Sequence, residues 1–292
     1  MLFTPVNDFG FIVDNFGSTY TDAALGVSCP SNASANVKSA DVNLLNGIAE
    51  DCYAIAICFV GSTAAATIRR SLVDILVDPA AGVGNSGSTW SVLIPNLLVF
   101  NPVLNLGGGV WYYFPLYVKA GTAIGAAHQC VTAVAQPLRI AVRLFGKPSH
   151  PELCKAGSYV ESFGVVLGTT SGTGITPGTG GAMGSYTASL GTSTENLWWW
   201  QCGFGYNDVS LTSDEILWFD VAAGDATNKQ LCLQNVQWSC FTGTGDQGGM
   251  VALGANLPYK NIPSGSDIYM RSISIGVGVS TTPQVCAYGV GG

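Results

Sequence analysis

The alternation of apolar and polar positions along this chain is short-ranged and mostly of period two. Asp51–Val60 (DCYAIAICFV) sets Tyr53, Ile55, Ile57 and Phe59 on one face and Ala54, Ala56 and Cys58 on the other, which predicts a β-strand. Ser71–Val77 (SLVDILV) repeats the pattern with Val73, Ile75 and Val77, and Glu215–Val221 (EILWFDV) with Leu217, Phe219 and Val221. Trp90–Phe100 and Gln230–Trp238 predict further strands, and Pro95 places an edge or a bulge in the first of them. Asp78–Gly82 and Val221–Asp225 read as turns, Asn105–Gly109 as a glycine-rich loop, and Thr169–Gly184 as a flexible or tightly turning loop. Helical periodicity is scarce; Ser62–Ser71 has room for one or two turns.

These elements occur twice. Trp111–Gly146 runs through an apolar approach, a Lys-Ala-Gly turn, two alternating runs and a closing glycine, and Tyr259–Gly291 is a weaker copy. Val118–Ile124 lies over Ile262–Ile268 at an offset of about 144 residues, and the strand pairs above agree with that offset. Val13–Gly17 returns as Val160–Gly164, so the front edge of the repeat is visible as well. The organisation expected is an N-terminal arm (1–12), a first domain (13–146), a linker (147–159) and a second domain (160–292). Each copy holds roughly eight short strands, as jelly rolls do. The fold class is therefore all-β, two tandem jelly-roll-like β-sandwich domains from an internal duplication.

Composition narrows the partners. Only 10% of residues are charged against 48% hydrophobic, with 38 glycines, which suggests sheet whose surface is largely covered by neighbours. The net charge of −7 argues against a non-specific grip on nucleic-acid phosphates. No membrane span is expected, because the most apolar region, Leu93–Tyr117, is broken by Pro95, Pro102, Gly107–Gly109 and Pro115. The start, MLFTPVNDFG, lacks the features of a secretion signal, so folding in a reducing cytosol is expected. The 9 cysteines form no CxxC pair and mostly sit in apolar runs, which reads as buried free thiols.

Catalysis has little to work with in the sequence. His128 lies in an alternating run and His150 in the linker; each has one cysteine nearby (Cys130, Cys154) but no further ligands for a metal. Asp74 with Asp78, and Asp220 with Asp225, are carboxylate pairs near strand ends, but at the offset above Asp74 is opposed by Trp218, so the repeat keeps no site. Gly172–Gly174 lacks the lysine and helix of a phosphate loop, Arg69-Arg70 is too small a basic patch for nucleic acid, and Asn32-Ala33-Ser34 is a sequon without a secretion context. The expectation is a chain that is not an enzyme, with no catalytic residue, no metal and no cofactor. The oddity is Trp198-Trp199-Trp200. At the same offset these face Ala54, Ile55 and Ala56, putting Trp199 on the core side and Trp198 and Trp200 on the other. Something must cover two such rings. Packing on the first copy, a contact with another subunit, and a sugar-stacking platform all remain open for Trp198 and Trp200.

The series CYAIAICFVGSTAAATIRRSLVDILVDPAAG, WSVLIPNLLV, YYFPLYVKAGTAIGAA and PLRIAVRLFGKP resembles a loose group of tailed-bacteriophage virion proteins, which share the Asp-Pro turn, the FPLY-polar-AG segment and the closing Arg143-Leu144-Phe145-Gly146-Lys147-Pro148 pattern. The match covers Asp51–Pro148. The resemblance implies a β-rich particle component: most simply a homo-oligomeric capsid decoration (cement) protein, with a trimer favoured, placed in the virion after assembly in the host cytoplasm. Its partners would be itself and the major capsid protein, or tail- and portal-proximal proteins. The alternative is a tail, collar or fibre module that binds a host surface glycan or receptor. The resemblance transfers no active-site residue.

Overall fold

The alternating stretches pair as antiparallel strands in both halves of the chain. The computed structural model describes residues 12–16, 25–61, 70–100, 110–133, 135, 137–147, 155–179, 181–206, 210–211, 215–240, 243–244, 261–274 and 282–292. The expected arm but for Ile12, the Asn105–Gly109 loop, most of the linker and all of the Ser62–Ser71 turn but its last two residues lie outside these.

The first half forms β1 (Ile12–Asp14), β2 (Val27–Pro30), β3 (Val42–Leu45), β4 (Ala54–Gly61), β5 (Arg70–Asp78), β6 (Ser91–Phe100), β7 (Val110–Phe114), β8 (Ala123–Cys130) and β9 (Pro137–Phe145). One sheet runs β1-β9-β4-β7, with β2 also on β9, and the other runs β3-β8-β5-β6. Their facing sides close on one core that includes Ile55, Ile57, Phe59, Val73, Ile75, Ile124 and Val142. The second half forms β10 (Tyr159–Phe163), β11 (Val165–Val166), β12 (Ser171–Gly174), β13 (Leu197–Tyr206), β14 (Ser210–Leu211), β15 (Glu215–Gly224), β16 (Lys229–Cys240), β17 (Gly243–Thr244), β18 (Asp267–Ser274) and β19 (Pro283–Gly291). Here β19 is flanked by β13, β10 and β12, and β15 by β16 and β18, around a core that includes Phe204, Phe219, Trp238 and Met270. The fold is two tandem sandwiches. Helix is confined, among the described residues, to a single short 3-10 turn at Leu167–Thr169.

The duplication is in the pairing as well as the sequence. β4 on β9, β5 between β6 and β8, and β1 and β2 on β9 recur as β13 on β19, β15 between β16 and β18, and β10 and β12 on β19. The glycine turn that revealed the repeat is a β-turn in both copies, Thr122 N donating to Lys119 O at 3.2 Å and Ser266 N to Pro263 O at 3.3 Å. Gly121 and Gly265 supply its left-handed third position, at φ 85° and 81°. Two expectations change. Ser171–Gly174, expected as loop, is the strand β12, because its backbone is needed beside β19. Val221–Gly224, expected as a turn, is the end of β15; the turn follows, where Asp225 accepts from Thr227 N and Asn228 N.

The two sandwiches share a seam. β6 is the edge of its sheet, and its second half, Leu97–Phe100, is fully buried against β10, β13 and β19. A buried edge has no ladder partner for half its backbone groups, and each group left unpaired costs free energy. Two tyrosines supply the partners. Tyr288 Oη, from β19, accepts from Leu98 N at 2.7 Å and donates to Asn96 O at 3.0 Å; Tyr112 Oη, from β7, donates to Leu98 O at 2.6 Å. Burial drives the pKa of both phenols upward, so they remain donors. Around them Val160, Cys286 and Val290 of the second half join the core of the first. Gly203 and Gly205 on β13 make the approach possible: a Cβ at 205 would overlap the Phe100 ring. The seam's ends are polar. Tyr117 N donates to Gly157 O and Gly157 N to Pro115 O, both at 2.8 Å, and Gln129 Nε2 reaches Leu167 O at 2.7 Å.

Tyr288→Phe removes one acceptor and one donor from this edge and is expected to cost about 1–3 kcal/mol in urea denaturation. A loss indistinguishable from that of an exposed Tyr117→Phe would show that the edge finds its partners elsewhere.

Candidate functional site

The tryptophan run carries a β-bulge. β13 pairs with β19 through Leu197↔Gly291 and then Trp199↔Val290, so one extra residue sits at Trp198. Beyond the bulge Trp199 matches Ala54, Trp200 matches Ile55 and Gln201 matches Ala56, one residue out of step with the sequence alignment. A slip of one residue exchanges the two faces of a strand. Trp200 is therefore the core residue: it is 3% exposed, with its ring 5.7 Å from Phe163. This corrects its assignment to an uncovered face. Trp199, expected in the core, instead turns to the first sandwich, 6.1 Å from the Tyr113 ring, beside the hydrogen bond from Tyr113 N to Gln201 Oε1. Three aromatics in a row break period two, and that break was the signal for a bulge.

Trp198 is half-buried and lines an open cleft of about 530 Å³ with Lys155, Tyr159, Glu195, Asn196, Asn261, Pro263 and Gly292. Lys155 Nζ stands 4.7 Å from the centre of the indole. The floor is held from below. Asn196 Oδ1 accepts from Ser264 N, and the Glu161 carboxylate takes Thr194 N and Glu195 N. Asn196 stands where the first copy has Asp51, which accepts from Ala120 N of the matching turn at 2.8 Å. A smaller hollow of about 160 Å³ adjoins the cleft, sharing Asn261 and Pro263 and adding Asn228, Gln230 and Cys232. The ridge between them is fixed, Ile262 exchanging both backbone hydrogen bonds with Leu197.

The other chemistry-bearing residues act as struts. His128 is buried, its Nδ1 2.9 Å from Cys29 O and its Nε2 2.8 Å from Ser71 Oγ. A carbonyl only accepts, so Nδ1 carries the proton and Ser71 donates to Nε2. Desolvation lowers the His128 pKa to about 4. This serine–histidine pair lies inside the first sandwich, with Ser71 2% and His128 1% exposed, where no substrate reaches it. Cys29, Cys52, Cys58, Cys202 and Cys286 are buried free thiols whose pKa burial pushes up to about 12. Gly172–Gly174 is strand, and Asn32 folds its side chain onto Ser34 N and Lys38 O. His150, Cys154 and Arg69 lie outside the described residues. No group of three or more metal-binding side chains occurs among the described residues.

The aspartates do repeat, contrary to the sequence alignment. Asp74 is matched by Asp220 rather than Trp218, and both brace the same bulge. Asp74 Oδ1 accepts from Asn96 N at 2.7 Å and pairs with Lys38 at 2.9 Å; Asp220 Oδ1 accepts from Asn235 N at 3.0 Å and its Oδ2 pairs with Arg271 at 2.8 Å. Asn96 and Asn235 both sit at positive φ, 54° and 56°. Asp78 and Asp225 accept from turn backbone N–H groups, which holds their carboxyls below the usual range. In the pairs Asp74 with Asp78 and Asp220 with Asp225, every carboxylate is thus engaged by backbone N–H groups. Aligning the chain on its aspartates, with one gap, would have revealed their match.

No protein-family model and no curated protein matches the chain. Solved structures do match. PNGase F, a glycosylasparaginase from Flavobacterium meningosepticum, aligns over 96% of each chain at 9% identity and a TM-score of 0.39. PNGF-II aligns over 91% of this chain at 10% identity and a TM-score of 0.38; the present chain spans 65% of its length. The tandem CBM22-1–CBM22-2 domain of Paenibacillus barcinonensis Xyn10C aligns over 97% of this chain and 92% of its own, at 13% identity and a TM-score of 0.26. An enzyme among these matches corrects the expectation that the chain is not an enzyme. Likeness at this level assigns this chain neither a reaction nor a residue.

Stability is expected to fall as pH drops from about 6.5 to about 4, because over that range the unfolded chain protonates His128 and the folded one does not; the full contribution is about 3 kcal/mol. His128→Gln should flatten that part of a pH series of urea midpoints. An unchanged slope would place the titrating group elsewhere.

Proposed function

We propose that the chain is a structural subunit of a tailed-phage particle, a homo-oligomeric protein that decorates and stabilises the capsid. The observation that carries this reading is the seam. Two sandwiches joined by a buried, hydrogen-bonded edge and a shared core suit a subunit that transmits load between neighbours. The resemblance of Asp51–Pro148 to tailed-phage virion proteins supports it from the sequence. Surface composition supports it too: Trp111, Tyr117, Val83, Val92 and Leu167 are each at least 41% exposed on a chain with little charge. Apolar residues left at the surface in this way suit a protein whose neighbours complete its burial. The partners on this reading are further copies of the chain, a trimer being favoured, and the major capsid protein.

Mass photometry of the purified protein, with rebinding to capsids stripped of accessory proteins, tests the reading. A discrete trimer or larger ring that returns to the capsid is expected. A monomer that ignores capsids would overturn it.

A further inference from the structure

We propose that the Trp198 cleft and its adjoining hollow form a binding groove for a neutral or N-acetylated oligosaccharide. This is separate from the particle-building role and does not depend on it. A volume of about 530 Å³ lies within the range of small-ligand sites. Its side chains are neither apolar enough for a lipid nor basic enough for a polyanion: one lysine and one glutamate offset each other, and the remaining polar side chains are uncharged. Asn196 and Asn261 on one side, and Asn228, Gln230 and Asn261 on the other, carry planar amides that both donate and accept, as sugar hydroxyl and acetamido groups require. Tyr159 and Trp198, the latter half-buried against the core of the first sandwich, add aromatic lining that suits the C–H side of a pyranose ring.

The geometry of the wall points the same way. Trp198 takes the extra position of a bulge between Leu197 and Trp199 in the pairing with β19, where the first copy has Tyr53. Bulges commonly re-aim a side chain at a functional place. The Asn261–Pro263 ridge is fixed by the Leu197 exchange, so the two hollows keep a constant separation, as a ligand spanning more than one sugar ring needs. Lys155, over the indole, contributes a donor at the mouth.

The test is an array of neutral, N-acetylated and acidic microbial oligosaccharides, followed by titration of any retained glycan with wild type, Trp198→Ala, Asn261→Ala and Trp111→Ala. Asn261 is exposed, so its variant keeps the test informative if loss of Trp198 disturbs folding. Retention of neutral or N-acetylated glycans is expected, weakened at least tenfold by Asn261→Ala and Trp198→Ala and unchanged by Trp111→Ala. The proposal is overturned if no glycan is retained, if only acidic glycans are retained, or if binding survives Asn261→Ala undiminished.

Discussion

A sheet edge buried inside a protein must find hydrogen-bond partners outside its own ladder, and this constraint shapes the molecule. β6 cannot be covered by another strand where the second sandwich meets it, so Leu98 and Asn96 are answered by the phenols of Tyr288 and Tyr112. That solution fixes the rest. A phenol reaches the edge only if β19 lies close behind it, which requires glycine at 203 and 205 on the neighbouring strand. Close approach in turn lets Val160, Cys286 and Val290 enter the first core, so the two halves share apolar burial as well as hydrogen bonds. Neither half could give up the other without exposing both.

Duplication supplied the parts, and divergence gave them roles. Both copies brace a left-handed asparagine with an aspartate, and both close the glycine turn against a side-chain oxygen, Asp51 in one and Asn196 in the other. Where the copies must differ, they do. The position of Tyr288 in the second copy is held in the first by Arg143, which binds Asp14 and covers Phe16 instead of reaching across a seam. Trp198, which lines the cleft, belongs to the second copy; the first has Tyr53 in its place. Replacing Asp51 by the uncharged Asn196 keeps the turn while removing a carboxylate from the cleft floor.

Much of the fold was legible because strands with one buried face advertise themselves with period two. The repeat was legible because a type II turn needs glycine, so Gly121 and Gly265 stood out in both copies. What the sequence hid were single-residue insertions. The offset of about 144 read from the glycine turn does not hold along the whole repeat, since Trp200 matches Ile55 and Asp220 matches Asp74, so it put Trp200 on the wrong face and set Asp74 opposite Trp218. The seam was hidden for a different reason. Tyr112 and Tyr288 are ordinary aromatic residues in alternating runs, and only tertiary placement turns their hydroxyls into partners for an edge. Trp198 was singled out correctly as unusual, but its cleft is assembled from β10, β13 and the ridge before β18, which no local pattern connects.

Native-state hydrogen exchange at the Leu98 amide tests the seam most directly, because that N–H has the Tyr288 phenol as its acceptor. The account predicts protection approaching that of amides deep in β5 and β8, lost only when both sandwiches unfold. Exchange of Leu98 in step with exposed turns, while β5 and β8 stay protected, would contradict it and leave the sandwiches as independent units.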